Sequence, residues 1–203
     1  MSKSDFDLNH QNQSTESKIV ASLERISQAF RVLLWRESKE FSLSPIQVQV
    51  LIFLMHHSDE KRKVSYLADE FNMTKATISD TIKALEKKGL ITKETEPDDS
   101  RSYVIHLSPD GIKTAKENSL FTKEIRTPID ELSVDDKENM LLSLLNIIRH
   151  LNNTGIITIQ RMCLNCVHYQ STNNGEQHYC KLLNQKLQNS ELRVDCPEHE
   201  IMN

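Results

Sequence analysis

The chain has 203 residues, of which 37% are hydrophobic, 27% charged and only 5% aromatic. With just 4 Gly and 5 Pro, that composition suits helices and argues against a turn-rich sandwich or barrel. A net charge of -4, from 25 Lys and Arg against 29 Asp and Glu, excludes a globally basic, histone-like nucleic-acid binder but permits a local basic patch.

The polar N-terminus lacks the apolar stretch of a secretory signal. The longest wholly apolar run, Val50 to Met55, is far too short to span a membrane. The expectation is a soluble cytoplasmic protein with no membrane partner. Residues 1–16 hold little to bury and read as a disordered tail. From there Ile19, Leu23, Ile26, Phe30 and Leu33 alternate spacings of four and three, one apolar stripe along a helix to about Glu37. Ser44-Pro45 is a cap followed by proline at the first helical position, opening a second helix. Its inward face is Ile46, Val50, Leu51, Leu54 and Met55.

After the basic bridge Lys61-Arg62-Lys63 come two short helices. The first runs from Val64 to Phe71, and Asn72-Met73 makes the turn. The second is capped by Thr74 and stopped by Gly89, with Ile78, Ile82 and Leu85 inward. That arrangement is a helix-turn-helix. Leu90–Thr95 and Ser102–Leu107 are strand-like around a charged tip, Glu96 to Arg101, which predicts a β-hairpin. Ser108-Pro109 caps a helix expected from Asp110 through Ile125, ending before Pro128, and Ser133 opens a last long helix. The apolar side of that helix (Met140, Leu141, Leu144, Leu145, Ile147, Ile148, Leu151) is broader than a monomer's surface helix needs. A two-fold dimer would bury it, or it would cover whatever follows in the chain. Asn152 to Gly155 reads as a break and Ile156–Met162 as a short strand.

A helix-turn-helix followed by a hairpin is a winged helix. The residues Leu43-Ser-Pro-Ile-Gln-Val-Gln-Val-Leu51, Val64-Ser-Tyr-Leu-Ala68, Met73-Thr-Lys-Ala-Thr-Ile-Ser79, Leu85-Glu-Lys-Lys-Gly-Leu-Ile91, Asp98-Asp-Ser-Arg101 and Leu107-Ser-Pro-Asp-Gly111 together resemble the MarR family of bacterial transcriptional regulators. The resemblance covers roughly Ser17 to Leu151. It implies a homodimer joined through the terminal helices, a DNA partner, and a small aromatic effector between the dimer helices and the winged core. It also implies that Asp99 orients Arg101.

Charge agrees with that reading. From Thr74 to Lys93 five lysines face two acids, a net +3 within a -4 protein. Near the start of the second helix, Lys75, Ala76, Thr77, Ser79 and Asp80 are placed to reach base edges in the major groove. Lys83, Lys87 and Lys88 suit phosphates, or simply solvent. Arg101 at the wing suits the minor groove or backbone. Asp80 departs from the family pattern, where a basic residue is common; it could accept from cytosine N4 or point away from the groove.

All four cysteines fall in the last quarter, as Cys163-x2-Cys166-x13-Cys180-x15-Cys196. A Cys-x-x-Cys knuckle plus two later cysteines is a metal-site pattern, and a module of about fifty residues with few large apolar side chains needs such a staple. Zinc is the expected ion. A 4Fe-4S cluster is the alternative, since Pro197 follows Cys196 as in ferredoxin-type ligation. His168, His178 and His199 could replace a cysteine or support the site.

The expected fold is therefore mainly α with a small β-hairpin wing: a winged helix-turn-helix flanked by dimerisation helices, plus a small Cys-rich module. The divisions are 1–16 (tail), 17–152 (winged-helix and dimerisation domain) and 153–203 (cysteine module). The expected function is a non-enzymatic transcriptional regulator, a repressor on a pseudo-palindromic operator, released by a small ligand or by a metal or redox change at the cysteines. The alternative is a redox or interaction protein whose winged helix serves assembly. No nucleophile–base pair, phosphate loop or dinucleotide fingerprint supports catalysis.

Overall fold

The computed structural model describes residues 4–96, 99–172 and 177–202, with 99–101 described by their backbone alone. Among the described residues, eight α-helices and five strands follow in order: α1 (Leu8–Gln13), α2 (Thr15–Glu40), α3 (Pro45–His56), α4 (Val64–Glu70), α5 (Lys75–Lys87), β1 (Ile91–Glu96), β2 (Asp99–Leu107), α6 (Pro109–Asn118), α7 (Lys123–Asp130), α8 (Val134–Asn153), β3 (Tyr169–Thr172), β4 (Gln177–Cys180) and β5 (Gln185–Leu187).

The local signals that begin and end the central helices operate as read. Ser44 forms a reciprocal capping box with Gln47, with Pro45 at the first helical position. Thr74 accepts the Thr77 amide at 3.1 Å and opens α5. Gly89, at φ +71°, takes the left-handed turn that stops it. Between α4 and α5, Asn72 is also left-handed (φ +50°), a conformation its short amide tolerates. The inward faces of α3, α4 and α5 then meet in one core built on Val48, Val50, Leu51, Leu54, Leu67, Ile78, Ile82 and Leu85. The wing closes this core through Ile91 and Ile105. Strands β1 and β2 pair antiparallel from Ile91↔Leu107 to Thr95↔Tyr103, and their register shifts at Glu96, which faces Asp99. The strands thus reach further into the tip than the sequence suggests.

Three expectations are corrected. The segment read as a disordered tail holds a short helix, α1. Asp7 caps it by accepting the Asn9 and His10 amides, and Ser17 on α2 donates to Asp5 at 2.7 Å; nothing in α1 is buried, so local hydrogen bonds alone order it. The helix expected from Asp110 to Ile125 breaks earlier. The buried Asn118 side chain donates to the Thr114 carbonyl and competes with the helical ladder, a 3-10 turn spans Ser119–Thr122, and Pro128 lies inside α7. Ile156–Met162 is not a strand, because its backbone partners are scattered: the amides of Ile156 and Ile157 donate to Leu151 of α8, and the Arg161 carbonyl accepts from Cys196.

The apolar stripes of the two outer helices differ in what they meet. That of α2 does not face the chain's own core: its buried positions are Ser17, Leu34 and Ser38, while Ile19, Val20, Ile26, Val32 and Trp35 are exposed. That of α8 is partly used inside the chain. Leu141, Leu142, Leu145 and Ile148 pack with Met162, Leu164, Leu187 and Leu192 in a second core beneath the cysteine module. No helix among the described residues is long and apolar enough to cross a membrane.

The corner from wing to α6 leaves no room for a side chain. Ser108 donates through its backbone to the Leu90 carbonyl, and a Cβ on Gly111 would sit 1.9 Å from that same oxygen. Gly111→Ala should therefore cost about 1–3 kcal/mol of stability, as overpacking does. The expected reading is a lower urea midpoint at unchanged slope; an unchanged midpoint would show that the corner yields.

Candidate nucleic-acid interface and the adjoining cysteine module

The first turns of α5 project from the core. Lys75, Ala76, Thr77 and Asp80 are exposed and Ser79 is half-buried, while Ile78, Thr81 and Ile82 face inward. Lys83 and Lys87 are exposed further along the helix. Asp80 and Lys83 pair at 3.0 Å on this surface, so the acid is partly neutralised within the helix. Lys93 pairs with Glu86 at 2.6 Å and lies over the Tyr103 ring, and Lys88 donates to the Ser42 carbonyl at the α2–α3 turn. The net +3 of this stretch is therefore thinner at the surface than the residue count implies. Among the described residues, Lys75 and Lys87 make no ion pair.

A hollow of about 220 Å³ lies between the start of α5 and the wing, lined by Lys63, Ser65, Lys75, Ser102 and Tyr103 among others. Lys63 also holds Glu96 of the wing at 2.5 Å, and Ser102 donates to the same carboxylate. The Lys63 and Ser102 bonds keep the Glu96 carboxyl below its usual range. Lys63, Ser65 and Ser102 were not singled out from sequence, although the Lys61–Lys63 run was the available signal. Arg101 lies on β2 and Asp99 begins that strand; their side chains are outside the described residues, as are Pro97 and Asp98.

Behind the helix-turn-helix sits a buried arginine that nothing in the sequence marked. Arg161 spends all five of its N–H groups. Nε and Nη2 donate to the two oxygens of Asp195 at 2.7 and 2.9 Å, and Nη1 and Nη2 donate to the two oxygens of Glu70 at 2.7 and 3.1 Å. The fifth goes from Nη1 to the Tyr66 hydroxyl at 2.8 Å, and the Phe53 and Tyr66 rings stand 5.8 and 5.9 Å from the guanidinium carbon. Burial works against the charge, but the bonds to Asp195 and Glu70 outweigh it and hold the guanidinium more firmly protonated than usual. Asp195 answers in kind. Its hydrogen bonds from Arg161, opposed by burial and reinforced by His57, hold its carboxyl down at about 2. His57, the C-cap of α3, stacks on Phe53 at 3.7 Å and reaches Asp195 at 2.9 Å. His56 beside it is exposed.

This cluster joins the helix-turn-helix, through Tyr66 and Glu70 of α4, to the cysteine module. Arg161 lies two residues before Cys163, and Asp195 immediately precedes Cys196. The Cys196 amide donates to the Arg161 carbonyl at 2.8 Å. Within the module β3, β4 and β5 form an antiparallel sheet in that order. Cys163 opens a 3-10 turn that Cys166 ends, and Cys180 closes β4 opposite Tyr169. None of the four cysteines is in a disulfide. As placed, the described residues include no group of three or more His, Cys, Asp and Glu set to grip an ion. His178 is buried between the Tyr169 hydroxyl and Asn189, and His199 faces Asn165 at 2.9 Å. His168 stands 3.3 Å from Glu200 without hydrogen-bond alignment.

Removing the arginine would strand two acids in the seam. Arg161→Ala is expected to cost about 3 kcal/mol, the low end for breaking a buried ion pair, because Asp195 keeps part of its solvent contact. Chemical denaturation should show this loss, and Arg161→Met combined with Glu70→Leu should recover much of it. A loss below the range of an exposed pair would mean that the cluster does not hold the module.

Three comparisons bear on this geometry. The model of the MarR family matches residues 41–102. The uncharacterized HTH-type transcriptional regulator YdgJ of Bacillus subtilis is 26% identical over 107 residues, 51% of this chain and 63% of that protein. The HTH-type transcriptional regulator SarZ of Staphylococcus haemolyticus is 26% identical over 98 residues, 48% of this chain and 66% of its own. The chain thus spans just under two thirds of the length of these relatives. Among solved structures, MepR of S. aureus in its complex with DNA shares the fold at a TM-score of 0.57 and 24% identity, over 65% of this chain and 97% of MepR. Residues 41–102 of this chain thus resemble the MarR family in sequence, and the chain shares the winged-helix fold of MepR.

Proposed function

We propose that this chain is a MarR-type transcriptional regulator, a repressor that binds a pseudo-palindromic operator as a homodimer. The observation that carries the reading is the exposed start of α5. Thr74 caps it, Lys75, Thr77 and Asp80 face outward, and the Lys63–Lys75 hollow separates it from the wing. A helix presented by its N-terminal turns fits the major groove, and lysines and hydroxyls beside it suit phosphates. The names of the relatives and the DNA complex of MepR point the same way. The exposed aliphatic side of α2, with the outer part of α8 (Met140, Ile147), supplies the dimer face. A two-fold axis there sets two copies of α5 about one DNA turn apart.

For release we favour a change at the cysteine module over a small effector, because Arg161 ties that module to α4 of the helix-turn-helix. A shift of Asp195 alters the partners of Glu70 and Tyr66, and so the seating of α4 beneath α5.

The DNA-binding test is anisotropy against operator fragments selected from a genomic library. Lys75→Ala with Thr77→Ala should lose about 1–3 kcal/mol per base contact and relax sequence preference, as should Arg101→Ala. Lys87→Ala should instead weaken all sequences alike and reduce the salt slope by about one. Binding by all variants equal to wild type would sink the regulator reading.

The dimer face has its own test. Ile19→Glu with Ile26→Glu places two charges on the exposed stripe of α2, one above the other. Sedimentation should then change from dimer to monomer, with loss of operator binding; a variant that stays dimeric moves the interface elsewhere.

A further inference from the structure

The four cysteines are far apart in sequence, yet all four line one hollow of about 20 Å³, beside His168 and Tyr169. A space of that size holds about one water-sized sphere. Three of them, Cys163, Cys180 and Cys196, also border a wider opening of about 250 Å³ on the outer side. Three pieces of backbone deliver the four: the 3-10 turn brings Cys163 and Cys166, the end of β4 brings Cys180, and the Arg161 carbonyl anchors Cys196.

Two further features favour a bound cation at this point. The Arg193 amide donates to Cys163 Sγ at 3.2 Å, and the Arg193 guanidinium donates to Cys196 Sγ at 3.3 Å. Donors directed at sulfur are the supporting contacts that orient metal-bound ligands and offset their charge. The module also has few internal means of holding itself together. Its buried aliphatic residues are Met162, Leu164, Leu187 and Leu192, and they pack on Leu145 of α8 rather than in a core of their own.

We propose that Cys163, Cys166, Cys180 and Cys196 bind a single thiophilic divalent cation of the zinc class. All four cysteines line the one small hollow, and four thiolates are the usual donors of structural zinc; as placed no three of them are set to grip an ion, so binding draws the sulfurs in around it. On binding, four thiols release four protons to solvent and form four metal–sulfur bonds, at about 2.3 Å for zinc. The resulting charge of −2 lies against Arg193. The ion also fixes Cys163 and Cys196, which flank Arg161 and Asp195 in sequence, and so holds the Asp195 carboxylate towards α4. The assignment does not depend on DNA binding, and its test involves no DNA.

The test uses the full chain purified with reductant and without oxygen, assayed for metal and acid-labile sulfide and then titrated with zinc and with cobalt(II). The expected result is one zinc per chain. Cobalt should give thiolate charge-transfer absorption and a tetrahedral visible band, both lost in Cys163→Ser and in Cys180→Ser. Wild-type chain stripped with a chelator should expose four alkylatable thiols, and added zinc should protect all four, which keeps the test decisive if the serine variants do not fold. Iron with sulfide would overturn the assignment in favour of a cluster. Four thiols that react equally with and without zinc, or a metal content unaffected by the serine substitutions, would overturn it outright.

Discussion

A guanidinium withdrawn from water loses solvation worth several kcal/mol unless its partners replace every hydrogen bond in good geometry. Arg161 meets that condition: two carboxylates and a phenol take all five of its N–H groups, and two aromatic rings cover its flanks. Because such bonds weaken steeply with misalignment, they set the distance between α4 and the cysteine module narrowly. His57 adds a third element, joining the end of α3 to the same Asp195. The module is therefore a fixed part of the winged helix's rear face, and the contacts of α4 depend on where Asp195 stands.

The division of apolar surface follows from that placement. With the module seated behind α4, its aliphatic residues meet α8, and the inner half of the α8 stripe is consumed within the chain. Among the described residues the stripe of α2 has less to meet: Phe30 stands edge-on to Phe121, while Ile19, Ile26 and Phe30 itself remain exposed. Contiguous exposed aliphatic surface of this kind marks an interaction face. One helix thus serves the module and the other is left for a partner, although from sequence the two looked alike.

The side proposed to face DNA shows how charge counts mislead. Five lysines and two acids make a basic segment, but two of the lysines are matched by those acids and a third is bound to a backbone carbonyl. Among the described residues, the lysines of this segment that keep no ion pair or carbonyl are Lys75 at the beginning of α5 and Lys87 at its end, while Lys63 across the hollow is held by Glu96. Position along the helix matters more than the total for the proposed docking, because side chains near the N-terminal turns of a recognition helix are the ones that reach base edges.

Caps, turns and periodicity made α3, α4, α5 and the wing legible in advance, and with them the surface where Lys75, Ala76, Thr77, Asp80, Lys83 and Lys87 lie. Those signals are local: Ser44, Thr74, Gly89 and Ser108 act within a few residues of themselves, so one-dimensional reading captures them. The cysteine spacing likewise pointed to a shared site, and the four cysteines line one hollow. What sequence order could not disclose was which distant groups would meet. Glu70, Arg161 and Asp195 stand 91 and 34 residues apart, each unremarkable alone, and their value arises only when burial removes competing water. The same holds for the two aliphatic stripes, which periodicity defines as faces without saying what each will cover. Local backbone chemistry determined the winged helix; long-range desolvation, which depends on the assembled fold, decided where the module docks and which surface remains open.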